Sequence, residues 1–271
     1  MKIFVIFSVF IDNLWVVSTN DMSSPLSFIS ERIANGQDAA FHEFPFACSL
    51  KWGFLGDLSH ICGSSIINSN WVVTAANCKP YSLGTYHVVC GITDRTIIRN
   101  QQERKVDRFI VHHNYAGGMS LNDIALANFD ESLTFNEYVQ PIALPDGSLT
   151  EGTATVIGWG LRYTLQIDST NHLQRGEVPI VNNDECCNLL TSLVPDACSK
   201  IDATTICAGG GQVHTCSGDS GGPLVKKVND QWTIYGIVSW GSLVCDVNII
   251  NPPTVYTDVY AHLDFINQHI N

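Results

Sequence analysis

Cys216-Ser217-Gly218-Asp219-Ser220-Gly221-Gly222-Pro223 sets a serine between an aspartate and two glycines, four residues after a cysteine. Glycine lets the backbone turn sharply and bring its N–H groups close to a ligand. A serine Oγ on such a turn is exposed. The N–H groups of Gly218 and Ser220 would then face the oxygen of a carbonyl under attack. Taken alone, the pattern equally suits a glycine-rich loop that happens to hold a serine. Its weight as a nucleophile depends on a base and an orienting carboxylate upstream.

Around this stretch the chain is built of short runs rich in Val, Ile, Phe and Tyr, separated by Gly, Asn and Asp turns. Such runs lie at 46–50, 65–67, 71–75, 86–89, 109–112 and 124–129, then at 154–159, 223–228, 232–240 and 254–257. No βαβ rhythm interrupts them, so the class is all-β, a barrel or a sandwich. The last segment differs. Val259, Leu263, Ile266 and Ile270 recur at helical spacing behind Asp258, an N-cap type, which predicts a terminal amphipathic helix docked on the β body. A linker-like stretch at 141–152 divides the chain into comparable halves, 33–145 and 146–271.

The 271 residues hold 45% hydrophobic side chains, enough for a substantial core without metals. Fourteen basic against 26 acidic residues give a net charge of −12, which argues against nucleic acid or an anionic membrane as the main partner. Lys2 precedes an apolar run at 3–11, and small residues follow at Ser18 and Thr19. This predicts a secretory signal peptide over 1–19, followed by a propeptide over 20–32. Asp12 and Asn13 break the run before it is long enough to span a bilayer. Secretion turns the ten cysteines into a question of disulfides, and an even count admits five bridges. No Asn-x-Ser/Thr site occurs, so N-glycosylation is not expected.

Three motifs stand in order: Thr74-Ala75-Ala76-Asn77-Cys78, Asn122-Asp123-Ile124-Ala125-Leu126, and Gly218 to Gly222. Gly158-Trp159-Gly160, Ile206-Cys207-Ala208-Gly209 and Ser239-Trp240-Gly241 accompany them. From Ile33 onward the chain resembles the trypsin-like, chymotrypsin-fold serine proteases. That resemblance implies two six-stranded antiparallel β-barrels with a site at their junction. It makes Ser220 the match for the nucleophile, Asp123 the match for the carboxylate that orients the base, and Gly218 and Ser220 the oxyanion-hole donors. Ser239-Trp240-Gly241 matches the edge that pairs with substrate backbone. Arg32–Ile33 matches the activation cut, after which the freed Ile33 amine would pair with Asp219. The implied disulfides are Cys62–Cys78, Cys186–Cys207 and Cys216–Cys245. Of the four other cysteines, Cys187 and Cys198 flank a loop that a bridge between them would staple. Cys48 and Cys90 lie on neighbouring strands of the implied barrel, either as a cross-strand bridge or as two buried free thiols.

The departures from the family pattern decide the function. Asn77 stands where the family has His. A base must take the Ser Oγ proton and later return it to the leaving amine, which needs a pKa near neutrality. A carboxamide has none, although it can hydrogen-bond Asp123. Removing the triad base costs on the order of 10⁶ in kcat, about 8–9 kcal/mol of barrier. His60, His112 and His113 read as strand or surface histidines. His214 lies six residues before Ser220, where trypsins carry the specificity-pocket aspartate, and Thr254 replaces a pocket-wall glycine, with Gly241 a further pocket position. Leu243, Val244 and the apolar stretch 246–253 add bulk nearby. The expected protein is therefore a secreted, catalytically inactive protease homologue that acts by binding. Its degenerate triad, blocked pocket and acidity resemble the inactivated serine protease paralogues of parasitic scabies mites, related to the group 3 mite allergens. That likeness implies a gut-lumen location and complement evasion through host plasma or complement proteins. No metal, cofactor, nucleic acid or membrane partner is expected, and the chain is expected to be monomeric. The alternative is a weakly active or altered-specificity serine hydrolase.

Overall fold

The structure is a computed structural model that describes residues 33, 36–161, 170–242 and 251–270. The expectations for the leader, the propeptide, Arg32, Leu243, Val244 and Cys245 lie outside the described residues, as does most of the stretch 246–253. Strands follow in the order β1 (Gln37–Asp38), β2 (Ala47–Phe54), β3 (Asp57–Asn68), β4 (Trp71–Thr74), β5 (Thr85–Cys90), β6 (Gln102–Lys105), β7 (Arg108–Val111) and β8 (Ala125–Asn128). The second half supplies β9 (Thr153–Gly158), β10 (Gln174–Val181), helix α1 (Asn183–Leu190), β11 (Thr205–Gly209), β12 (Pro223–Val228), β13 (Gln231–Trp240), β14 (Pro253–Asp258) and helix α2 (Leu263–Ile270).

These strands form two antiparallel sheets. The first has the order β6-β5-β2-β3-β4-β8-β7. Its edge pieces β6 and β7 are halves of one bent strand. At the bend, Val106 N–H donates to Tyr86 O and Asp107 N–H to Asn128 O, both at 2.8 Å, so one strand reaches both edges of the sheet. The second has the order β1-β10-β11-β14-β13-β12-β9, and a β9–β10 pairing closes six of its strands on themselves. Two β-barrels result, as the resemblance implies. The termini cross over between them. Gln37 and Asp38 pair with β10 of the second barrel, whereas Val259, Phe265 and Ile266 join a hydrophobic cluster that fills the first barrel and extends to Ile157, Val225 and Ile234 of the second. The linker around Ile142 and Ala143 bonds to both barrels, through Ile66 O on one side and Trp232 O on the other.

The terminal helix begins with a 3₁₀ turn, Tyr260–His262, before α2. The Asp258 carboxylate accepts from Tyr260 N–H at 2.8 Å and so serves as the expected cap. Strand β10 carries Gly176 and Pro179, which read as turn residues in sequence. Gly176 is required there because an added Cβ would lie 2.5 Å from a Val213 methyl carbon. The region before Cys198 is not a plain loop. It contains α1, whose first turn is capped by Asn182 accepting from Glu185 N–H at 2.9 Å.

Bridges are present at Cys48–Cys90, Cys62–Cys78, Cys186–Cys207 and Cys187–Cys198. Cys216 is also disulfide-bonded, while its expected partner Cys245 lies outside the described residues. The register of β2 on β5 sets Cys48 directly opposite Cys90 with Cα atoms 4.4 Å apart, the spacing of a non-hydrogen-bonded antiparallel pair. The alternative of two free thiols is thereby removed.

Candidate active site

Three connections meet where the barrels join. Asn77 sits in the 3₁₀ turn Ala76–Cys78 after β4, pinned to β3 by Cys62–Cys78. Asp123 enters β8 directly after Asn122, whose φ of 60° is a left-handed conformation that Asn tolerates. Ser220 lies in the turn before β12, between Gly218 at φ 95° and Gly221 at φ 76°, positions that favour glycine. A Cβ on Gly221 would fall 2.2 Å from Thr74 Oγ1 and 3.0 Å from Cys78 Sγ, so this turn is seated against the residues around Asn77.

Asp123 is fully buried. Its Oδ1 accepts from Asn77 N–H at 2.8 Å. Its Oδ2 accepts from Asn77 Nδ2 at 2.8 Å and from Ser239 Oγ at 2.5 Å. Burial raises its pKa from 3.8 to about 6, against the pull of these donors. The second Asn77 amide hydrogen goes to Ser239 O at 2.9 Å. Both hydrogens of the carboxamide are therefore committed away from Ser220. The Ser239 hydroxyl on Asp123 is a functional contact that sequence reasoning missed. Its signal was the Ser-Trp-Gly motif, read only as a substrate edge.

Asp219 is also fully buried. It accepts from Gly160 N–H through Oδ1 and from Cys216 N–H through Oδ2, both at 2.8 Å. Burial lifts its pKa to about 6. An added Cβ at Gly158 or Gly160 would lie 2.0 or 2.5 Å from this carboxyl group, which explains the glycines around Trp159. The Ile33 side chain is buried in the core of the second barrel with Val156 and Val178. Among the described residues, the N–H groups of Gly218 and Ser220 donate to no protein acceptor. They are available to an incoming oxyanion.

The neighbouring pocket has a volume of only about 140 Å³ and is lined by Thr215, Ser220, Trp240 and Gly241, with Met119 at its edge. Thr254 Oγ1 lies 2.8 Å from Thr215 Oγ1, and a Cβ on Gly241 would meet Thr254 Oγ1 at 3.3 Å. The threonine thus stands between two pocket walls. His214 is 3% exposed. Its Nδ1 bonds Gln212 O at 2.8 Å, and Asn251 Nδ2 lies 3.1 Å from its Nε2. The ring is thus held between a backbone carbonyl and a side-chain carboxamide. The Asn251 partner had no sequence signal.

His60 is more than an ordinary strand histidine. Its Nε2 bonds Gly218 O at 3.1 Å and its Nδ1 bonds Ser49 Oγ at 2.8 Å, behind the Ser220 turn. Burial, with the fields of Arg95 and Lys51, lowers its pKa to about 3, so it is neutral at physiological pH. His112 donates its N–H to Ile124 O, next to Asp123, while its ring stacks on His113 and packs against Phe265 of α2. Among the described residues no group of three or more His, Cys, Asp or Glu is placed to hold a metal ion.

Comparison with known proteins agrees with this geometry. The trypsin family pattern matches residues 33–266. Lectizyme of Glossina austeni is 34% identical over 283 residues, covering 100% of this chain and 97% of the relative. Trypsin-1 of Astacus astacus is 36% identical over 249 residues, covering 86% of this chain and 98% of the relative. Chymotrypsin-C of Bos taurus is 35% identical, covering 89% and 90% respectively. With the family pattern spanning both barrels and every element that meets at Ser220, the chain belongs to the trypsin family of serine proteases.

Proposed function

We propose that this chain is a secreted trypsin-family protein that works by binding a protein partner and does not hydrolyse peptide bonds. The observation that carries the reading is the Asn77 carboxamide. It donates to Asp123 and to Ser239 O, and its remaining oxygen cannot accept a proton covalently near neutral pH. An oxyanion hole with substrate binding leaves only roughly 10³–10⁴ over water, negligible for amide hydrolysis. The narrowed pocket around Thr254 and the carboxylate-free position 214 point the same way. Secretion is supported by the leader-like segment at 1–19 and by the disulfides. The likeness to inactivated mite paralogues makes host plasma or complement proteins in a gut lumen the partner class to test first.

Intact turn geometry at Ser220 favours a second reading, a weakly active or altered-specificity hydrolase. One experiment separates the two. The protein, before and after cutting at Arg32–Ile33, is incubated with protein substrates, His-containing peptides and thioesters beside S220A. No turnover above S220A is expected. Ser220-dependent turnover would replace the binding reading by the second.

A further inference from the structure

We propose that the pocket between Phe41–His42 and the loop joining β5 to β6 binds an apolar monocarboxylate, its short hydrocarbon body against Phe41, Ile92 and Ile97 and its carboxylate on Arg99. This site shares no residue with the Ser220 region and is independent of whether Ser220 hydrolyses peptides. The pocket has a volume of about 320 Å³, at the lower end of the roughly 300–1,000 Å³ usual for small-molecule sites. Its lining comes from 41–42 and 91–100, all of them described residues. Phe41 is 61% and Ile97 42% exposed, so apolar surface lies open at the mouth. Ile92 is buried beneath them.

The walls are fixed before a ligand arrives. His42 N–H donates to Thr93 Oγ1 at 3.0 Å and ties one wall to the other. The His42 ring packs on Tyr138 with centroids 4.1 Å apart. Gly91 follows the bridged Cys90, and a Cβ there would lie 2.7 Å from Asn100 O, so the two ends of the loop meet backbone to backbone. Thr93 O accepts from Leu173 N–H at 2.7 Å and from Trp159 Nε1 at 3.2 Å, which anchors the loop to the second barrel. His42 and Asn100, one on each wall, hold left-handed φ values of 60° and 64°. Non-glycine residues held in this way cluster at ligand sites. Fixed walls also lower the ordering cost of binding.

Two charged side chains line the pocket, and one of them is already met. Asp94 Oδ1 accepts from Thr96 N–H at 2.8 Å and from Thr96 Oγ1 at 2.6 Å, while Oδ2 lies 3.9 Å from His172 Nδ1. Arg99 forms no ion pair or hydrogen bond with any described residue, and neither does the Asn100 side chain. A guanidinium accepts a carboxylate through two parallel N–H donors, and the carboxamide beside it adds a third. The Asp94 carboxylate disfavours a second negative group on the ligand, so a dianionic phosphate ester fits less well than a monocarboxylate. The same chemistry is offered by a free short-chain acid and by the C-terminal residue of a peptide.

The test is isothermal titration of the protein with hexanoate and with N-acetylleucine. Hexanamide and N-acetylleucinamide serve as controls that keep the hydrocarbon body and lose the charge. At least one acid is expected to bind saturably, at least about tenfold more tightly than its amide, and more weakly as salt rises. Binding of hexanoate alone assigns the pocket to free acids. Binding of N-acetylleucine alone assigns it to chain ends. R99Q should weaken binding at least about tenfold, with R99K intermediate, and F41S should weaken it through the lost apolar wall. Arg99 is exposed and unpaired among the described residues, so R99Q should melt at the parent temperature. Amides that bind as tightly as the acids, no saturable binding of either acid, or R99Q that binds like the parent would each overturn the site. Turnover at Ser220, present or absent, bears only on the separate reading of the active site.

Discussion

At position 77 a carboxamide donates to Asp123 and to Ser239 O. Placing an imidazole there is expected to be insufficient for cleavage. N77H should leave cleavage of an Arg-directed peptide substrate at the level of S220A, because His214 supplies no carboxylate and Thr254 fills the wall. N77H/H214D/T254G should exceed N77H by more than about tenfold, ~1.4 kcal/mol of barrier. Near-normal cleavage by the single variant would show that the pocket does not obstruct. Leu55 offers a second residue-scale prediction. Asn suits its left-handed backbone at φ 58°, so L55N should stabilise the fold by about 1 kcal/mol and raise Tm by roughly 2–4 °C in calorimetry. A lower Tm would mean that the leucine makes a stabilising contact.

Among the elements, β2 and β5 show how register settles what composition leaves open. Cys48 and Cys90 are 42 residues apart in the chain and directly opposite in the sheet. Closing a loop of that length removes about 4 kcal/mol of denatured-state entropy in the chain model. C48A/C90A should therefore lower the denaturant midpoint without changing the topology. An unshifted midpoint would show that the neighbouring pairing alone fixes β2 on β5. Strands β6 and β10 were illegible in sequence for opposite reasons. The polar β6 alternates no apolar face, and β10 carries a glycine and a proline whose necessity appears only once Val213 and its partner strands are in place.

For the molecule as a whole, acidification sets buried imidazoles against buried carboxylates. His112 lies between the end of β7 and α2, its ring 4.8 Å from Phe265 and 5.4 Å from His262. Burial, then the fields of His262, His113 and His269, lowers its pKa to about 4. Burial also lowers His262, and His60 falls to about 3. Each binds a proton more readily unfolded, near 6.5, so its contribution is full above that pH and is lost as pH falls toward 4. Asp123 and Asp219 act oppositely. Their pKa values rise from 3.8 to about 6, so their contribution is present at low pH and is lost as pH rises through 6. Three imidazoles shifted down outweigh two carboxylates shifted up. Tm is expected to fall between pH 6.5 and 4.5, and H112Q should flatten that fall. A Tm that rises on acidification would reverse the balance.

The family, the two-barrel class, the terminal helix and the positions of Asn77, Asp123 and Ser220 are legible in the sequence alone. These rest on local patterns: glycines at left-handed turns, alternating apolar runs and ordered short motifs. Tertiary structure decided which atoms meet. Ser239 on Asp123, Asn251 beside His214, His60 behind Gly218 and the Cys48–Cys90 bridge all join residues between 37 and 158 positions apart. Sheet register and the packing of one barrel on the other create those contacts, and neither is written in any short window of the chain.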